Sequence, residues 1–222
     1  YKESKKHNKE GHNIYVLSAD GKTKTLLNDM PIKTENDRKI VQRVMNVYAK
    51  KAGVSGGVTL KYSKSPEGGH GMAYTTGKKV YVNTEGGISE SLSNYHNLES
   101  TMFHEKQHQD DQKAGKDFSD KTFEGLLNHS KVYAKAMGDE SFVRTSKDFK
   151  AGQFRSFADY LERSLNEALN QFDTEGDTKK VADMITNFNE TTGKKYGYSI
   201  SAKQTSIGGN LIWDVDLNEP KK

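Results

Sequence analysis

Two histidines four residues apart, with a glutamate directly after the first, form the most reactive stretch of the chain: His104-Glu105-Lys106-Gln107-His108. Residues i and i+4 of an α-helix lie on one face a turn apart, so the two imidazoles can address a single ion. Glu105 projects to a neighbouring side, within reach of a water on that ion without being a ligand. Zinc held by two nitrogens and a carboxylate keeps a fourth position open, and water there loses a proton near neutral pH. A carboxylate beside that water is the expected general base. The bland alternative is a surface helix with two solvated histidines. Against it, Leu98 and Met102 fall one turn apart and give the helix an apolar stripe to bury. From His104 to Gln112 the composition is then almost wholly polar, natural for a helix lining a cleft.

A third ligand must come from elsewhere, and the segment Leu161 to Phe172 offers it. Its apolar positions Phe157, Leu161, Leu165, Ala168 and Phe172 mark a buried helical face, with Ser164, Glu167 and Gln171 in a polar stripe beside it. Here the chain resembles the thermolysin-like, glutamate-ligand zinc metallopeptidases, the gluzincins, whose second helix carries Asn-Glu-Ala and an apolar residue. Asn166-Glu167-Ala168-Leu169 stands in that pattern, and the resemblance implies that Glu167 is the third zinc ligand. The family places an aspartate one turn later to orient the first histidine. Gln171 occupies that place here, an amide that can accept an imidazole N–H but carries no charge. Glu167 follows His108 by 59 residues, a wider separation than in thermolysin, so a segment must be inserted between the two helices. Glu162, five residues earlier, is the rival ligand.

The resemblance covers two short helical motifs and the order of elements. It implies an α+β, zincin-like fold: a small mixed or antiparallel sheet, the H-E-x-x-H helix and a second ligand-bearing helix. It also implies zinc as cofactor, peptide-bond hydrolysis, and a peptide or protein substrate. Such enzymes use a tyrosine and a histidine outside both motifs to stabilise the tetrahedral oxyanion. The candidates are His129 and Tyr133, a turn apart, and Tyr160. A related expectation is a toxin module of a large secreted bacterial protein, with one dedicated protein target and a cognate inhibitor or immunity protein. A non-enzymatic module with a structural zinc is the third alternative.

Other metal classes are set aside by spacing. A metzincin carries glycine three residues and histidine six residues after its second histidine, where this chain has Asp111 and Ala114. The acidic run Asp173 to Asp177 lacks the spaced oxygen ligands of a calcium loop and is expected to be a turn. With no cysteine in 222 residues, disulfides, thiol nucleophiles and thiolate metal sites are all excluded.

The net charge of +4 comes from scattered lysines, without the density of a nucleic-acid-binding stripe. Hydrophobic content is 32% and mean hydropathy −0.90, so the core must be economical, and no run is apolar enough to span a membrane. The chain opens on Tyr1, which suggests a processed or excised fragment, and its Lys-, Asn-, Gly- and Thr-rich composition suits an exported bacterial protein.

The elements that must carry the site follow from periodicity and breakers. Residues 1–13 are expected as a polar arm and 14–222 as one domain. Ile14 to Leu17 and Thr23 to Leu27 read as a hairpin around Asp20-Gly21. Thr34 caps a helix that Gly53 ends. Val58, Leu60 and Tyr62 alternate as a strand, followed by a loop from Ser63 to Gly71. Met72-Ala73-Tyr74 and Val80 to Asn83 form two strands, one of them the expected edge that pairs with extended substrate. Helices are expected over Ser119 to Met137, Gln153 to Phe172 and Asp177 to Thr192. A closing hairpin follows, with Tyr196, Tyr198 and Ile200 in one strand and Leu211, Trp213 and Val215 in the other.

Overall fold

The computed structural model describes residues 13–62, 71–171 and 175–220. The expected arm up to residue 12, the loop over 63–70, and Phe172 with the first part of the acidic turn lie outside these residues. The protein is α+β, with three small sheets among the described residues. Its contacts cluster into two units, Tyr1–Gly115 with Asp139–Lys150, and Lys116–Gly138 with Ala151–Lys222. No helix of the described residues is long and apolar enough to cross a membrane.

The first unit opens on an antiparallel hairpin, β1 (Tyr15–Leu17) and β2 (Lys24–Leu26). Helix α1 (Glu35–Lys51) starts at a capping box: Asp37 N–H donates to the Thr34 hydroxyl, and Thr34 N–H donates to the Asp37 carboxylate. Strands β3 (Val58–Lys61), β4 (Ala73–Thr76) and β5 (Lys79–Asn83) form a mixed sheet in the order β3-β5-β4. β5 runs parallel to β3 and antiparallel to β4. The alternation is clean: Val58, Leu60, Val80 and Val82 point into the core, while Thr59, Lys61 and Lys79 are exposed. Beneath them lie Val41, Met45 and Tyr48 of α1, and Leu98 and Met102 of α2 (Tyr95–Lys113), all buried. The short helix α4 (Glu140–Val143) and the first turn of α5 (Lys147–Asn170) complete the unit.

The second unit comprises α3 (Phe123–Gly138), the rest of α5, α6 (Glu175–Phe188), the single turn α7 (Lys194–Tyr196), and the hairpin β6 (Ser199–Ile207) with β7 (Asn210–Asn218). Phe154, Phe157, Leu161, Leu165 and Ala168 are the buried face of α5, and Phe188 packs on Phe154 and Phe157 with ring centroids 5.6 and 5.3 Å away. Gly208 and Gly209 close the hairpin with φ of 59° and 84°, the left-handed pair a two-residue turn requires.

Three helix boundaries differ from the sequence expectation. α3 begins at Phe123 because Asp117, Ser119 and Thr122 engage nearby backbone N–H groups in a side-chain-bonded turn. α5 begins six residues early, at Lys147, because the Ser146 hydroxyl accepts the N–H of Phe149 and starts a helix whose first turns are polar. α6 stops at Phe188 and widens into a π-turn over Asn189–Gly193. Tyr196 and Tyr198 precede β6 and do not belong to it.

Candidate functional site

The motif residues sit in the middle of α2, whose first turn is capped by Asn94 accepting from the N–H groups of His96 and Asn97. His104 Nε2 and His108 Nε2 stand 3.1 Å apart. Either one N–H donates to the other ring, or both lone pairs are turned to one ion. Two nitrogens at about 2.0–2.1 Å from a tetrahedral zinc are separated by about 3.3 Å, so the pair fits a shared ion with little adjustment.

Glu105 is 4% exposed. Thr75 of β4 donates its hydroxyl toward Glu105, with its Oγ1 2.8 Å from Oε2 and 3.1 Å from the backbone oxygen. Burial pushes the Glu105 carboxyl up to about 7, with the Thr75 hydrogen bond pulling the other way. A carboxyl at that value exchanges protons readily near neutral pH.

One turn further along, Gln109 is fully buried. Its Oε1 accepts from Ser55 N–H at 2.9 Å, and its Nε2 donates to Ser55 O at 2.9 Å and to Lys78 O at 2.7 Å. Gln112 Nε2 reaches Thr75 O at 3.4 Å. Leu98, Met102, Glu105, Gln109 and Gln112 therefore form one continuous stripe, apolar at first and then polar, that ties α2 to the β4–β5 hairpin. Thr75, Gln109 and Gln112 were not singled out in the sequence. For Gln109 and Gln112 the spacing relative to Leu98 and Met102 on α2 was the available signal, and Thr75 carried none.

The other candidate residues lie in the second unit. Glu167, half-buried on α5, accepts a 2.7 Å hydrogen bond from Gln171 Nε2, so that amide is engaged by the carboxylate one turn before it. Glu162 Oε2 accepts from the N–H of Val215 in β7. Asn166 brackets Trp213, two residues before Val215, accepting from its N–H at 2.8 Å and donating to its O at 3.0 Å.

His129, Tyr133 and Tyr160 come together in that unit. His129 stacks on Tyr160 with centroids 4.6 Å apart and planes 8° from parallel, and Tyr133 lies 5.6 Å from Tyr160. Arg163 sits over the Tyr160 ring and pairs with Asp120 at 3.0 Å, and His129 Nδ1 is 3.8 Å from the same carboxylate. Burial lowers the His129 pKa against the pull of Asp120, and burial raises that of Tyr160. Among the described residues no group of three or more His, Asp or Glu side chains converges as a metal cage. The structure thus unites His104, Glu105 and His108 in one unit, and Glu167 with Gln171 in the other.

Residues 2–197 match the protein family described as metallopeptidase toxin 2. No curated protein and no solved structure matches the chain.

Proposed function

The chain belongs to the metallopeptidase toxin 2 family, and from that premise we propose that it is a zinc-dependent endopeptidase of gluzincin type, delivered to a target cell to cleave one dedicated protein. Membership makes it a metal-dependent peptidase toxin domain and implies a metal ion as cofactor. The observation that carries the finer reading is the pair of ring nitrogens 3.1 Å apart beside a buried, hydrogen-bonded glutamate.

His104 and His108 are the nitrogen ligands in this reading, and Glu167 is the carboxylate ligand in a zincin-like arrangement. Glu167 is preferred to Glu162 because it stands in the Asn-Glu-Ala pattern and its partner is the side chain of Gln171, whereas Glu162 accepts from the main-chain N–H of Val215. A zinc ion there supplies Lewis acidity and lowers the pKa of the attacking water. Glu105 takes the proton of that water and delivers it to the leaving amine. β4 is one of the two edge strands of its sheet among the described residues, and is the edge proposed to pair with an extended substrate backbone. Tyr160, His129 and Tyr133 are the candidate oxyanion donors. A secreted origin and a cognate immunity protein belong to the same reading.

Elemental analysis and casein hydrolysis test it together. Wild-type protein is expected to hold about one equivalent of zinc, and the His104→Ala, His108→Ala double variant none. Glu105→Gln is expected to keep the zinc and to lose activity by 10²-fold or more, on the order of a general-base contribution. Cleavage of casein by the wild type points to broad specificity, and silence with intact zinc to a single target. Full zinc retention in the double variant refutes the site.

A further inference from the structure

We infer that Thr75 is a positioning residue for the proton transfer: its hydroxyl holds Oε2 of Glu105, which makes Oε1 the oxygen that receives the proton. The inference rests on Glu105 being the general base.

The geometry begins with strand alternation. Thr75 stands opposite Val80 in the β4–β5 register, and Val80 is fully buried. Side chains on paired residues share a sheet face, so Thr75 points to the side that α2 packs against, while Tyr74 points away and stacks on Tyr81 at 5.2 Å. From that face the hydroxyl meets Oε2 at 2.8 Å. A threonine carries two heavy atoms on Cβ, which restricts χ1 and fixes the direction of the hydroxyl. The hairpin that carries it is fastened to the same helix at two further points, Gln112 on Thr75 O in β4 and Gln109 on Lys78 O in the β4–β5 turn. The donor therefore sits on a hairpin anchored to α2 at Glu105, Gln109 and Gln112.

The backbone of Thr75 has a second use. Asn83 N–H donates to Met72 O, so Met72 and Asn83 are a hydrogen-bonded pair, and antiparallel alternation makes Tyr74 with Tyr81 the next one. The main-chain groups of Ala73 and Thr75 consequently point to the outer edge of β4. Thr75 O is engaged by Gln112 Nε2, so a peptide laid along that edge would meet the Thr75 N–H, on the residue whose side chain orients the base. In the reaction the water oxygen bonds to the carbonyl carbon, its proton passes to Oε1, the C–N bond breaks, and the proton goes on to the amine nitrogen.

Thr75→Val keeps the shape and strand preference and deletes the hydroxyl, and Thr75→Ser restores it. The probe is acetohydroxamate binding to the cobalt-loaded protein, read from the visible ligand-field band, which needs no substrate. Thr75→Val is expected to weaken binding five- to tenfold and to shift the band of the complex, with Thr75→Ser within twofold of wild type. In a Glu105→Gln background, Thr75→Val is expected to add nothing. Where casein is cleaved, kcat is expected to fall at least tenfold in Thr75→Val with KM within twofold, and Thr75→Ser to recover it. Should Thr75→Val not fold, Thr75→Ala carries the same comparison. The role of Thr75 is overturned if its loss leaves acetohydroxamate binding unchanged, or weakens it equally without Glu105. Unchanged binding in Glu105→Gln instead removes the base itself.

Discussion

Helices α2 and α5 each bury one face along much of their length, and the two faces have opposite chemistry. α5 buries Phe154, Phe157, Leu161, Leu165 and Ala168, a stripe that gains stability from area removed from water and tolerates small shifts. α2 buries Leu98 and Met102 together with His96, Asn97, Ser100 and Thr101 in its first turns, then only polar residues, Glu105, His108, Gln109 and Asp111. Each buried polar group costs about 1–3 kcal/mol unless a partner is supplied. Gln109 recovers that cost by meeting three main-chain groups at fixed directions. The difference teaches where rigidity is placed: the buried face of α5 is held by non-directional packing, with directional bonds at its Asn166 and Glu162 contacts to β7, whereas the motif half of α2 is held by directional bonds that set the orientation of the residues between them.

The largest test of this contrast is Leu161→Ala. Leu161 is fully buried on α5, and its truncation is expected to lower unfolding stability by about 2–5 kcal/mol, measured by denaturant titration. A smaller effect is expected of Gln109→Leu, which adds apolar surface yet strips Ser55 N–H, Ser55 O and Lys78 O of their partner. It is expected to destabilise by roughly 2–3 kcal/mol and to raise amide exchange at Ser55. A neutral Gln109→Leu breaks the distinction between the helices. The smallest effect is a pH dependence on the α5 side. The folded-state pKa of His129 is depressed by burial beside Tyr160, Tyr133, Arg163, Asp117 and Asp120. The unfolded chain therefore binds the proton first as pH falls. The contribution is fully present above about pH 6.5 and declines as pH drops through that range toward the folded pKa. Unfolding midpoints taken between pH 8 and pH 5 are expected to flatten in His129→Gln.

What the sequence disclosed depended on whether the signal was local. The β1–β2 and β6–β7 hairpins, the Thr34 capping box and the buried face of α5 each lie within a few residues, where periodicity and turn chemistry are readable. β3 and β5 are parallel and not consecutive in the chain, so no single hairpin turn announces their pairing, and it emerged only in the fold. Thr75 reaches Glu105 across 30 residues and Gln109 reaches Ser55 across 54. A lone threonine in a strand and a glutamine after a histidine look like ordinary polar residues until the helix and the hairpin are brought together. The start of α5 escaped for a different reason, because its first turns, Lys147 to Gly152, bury only Phe149 firmly and carry no repeating apolar mark.

The clasp between α5 and β7 has a consequence for how the chain can be shortened. Asn166 imitates a neighbouring strand for Trp213, and Glu162 caps the N–H of Val215. A truncation just after Tyr198 would strip both side chains of these bonds on the helix that bears Glu167. The C-terminal ribbon is thus no removable appendage, and trimming it would hand a carboxylate back to solvent five residues from the one proposed to bind the ion.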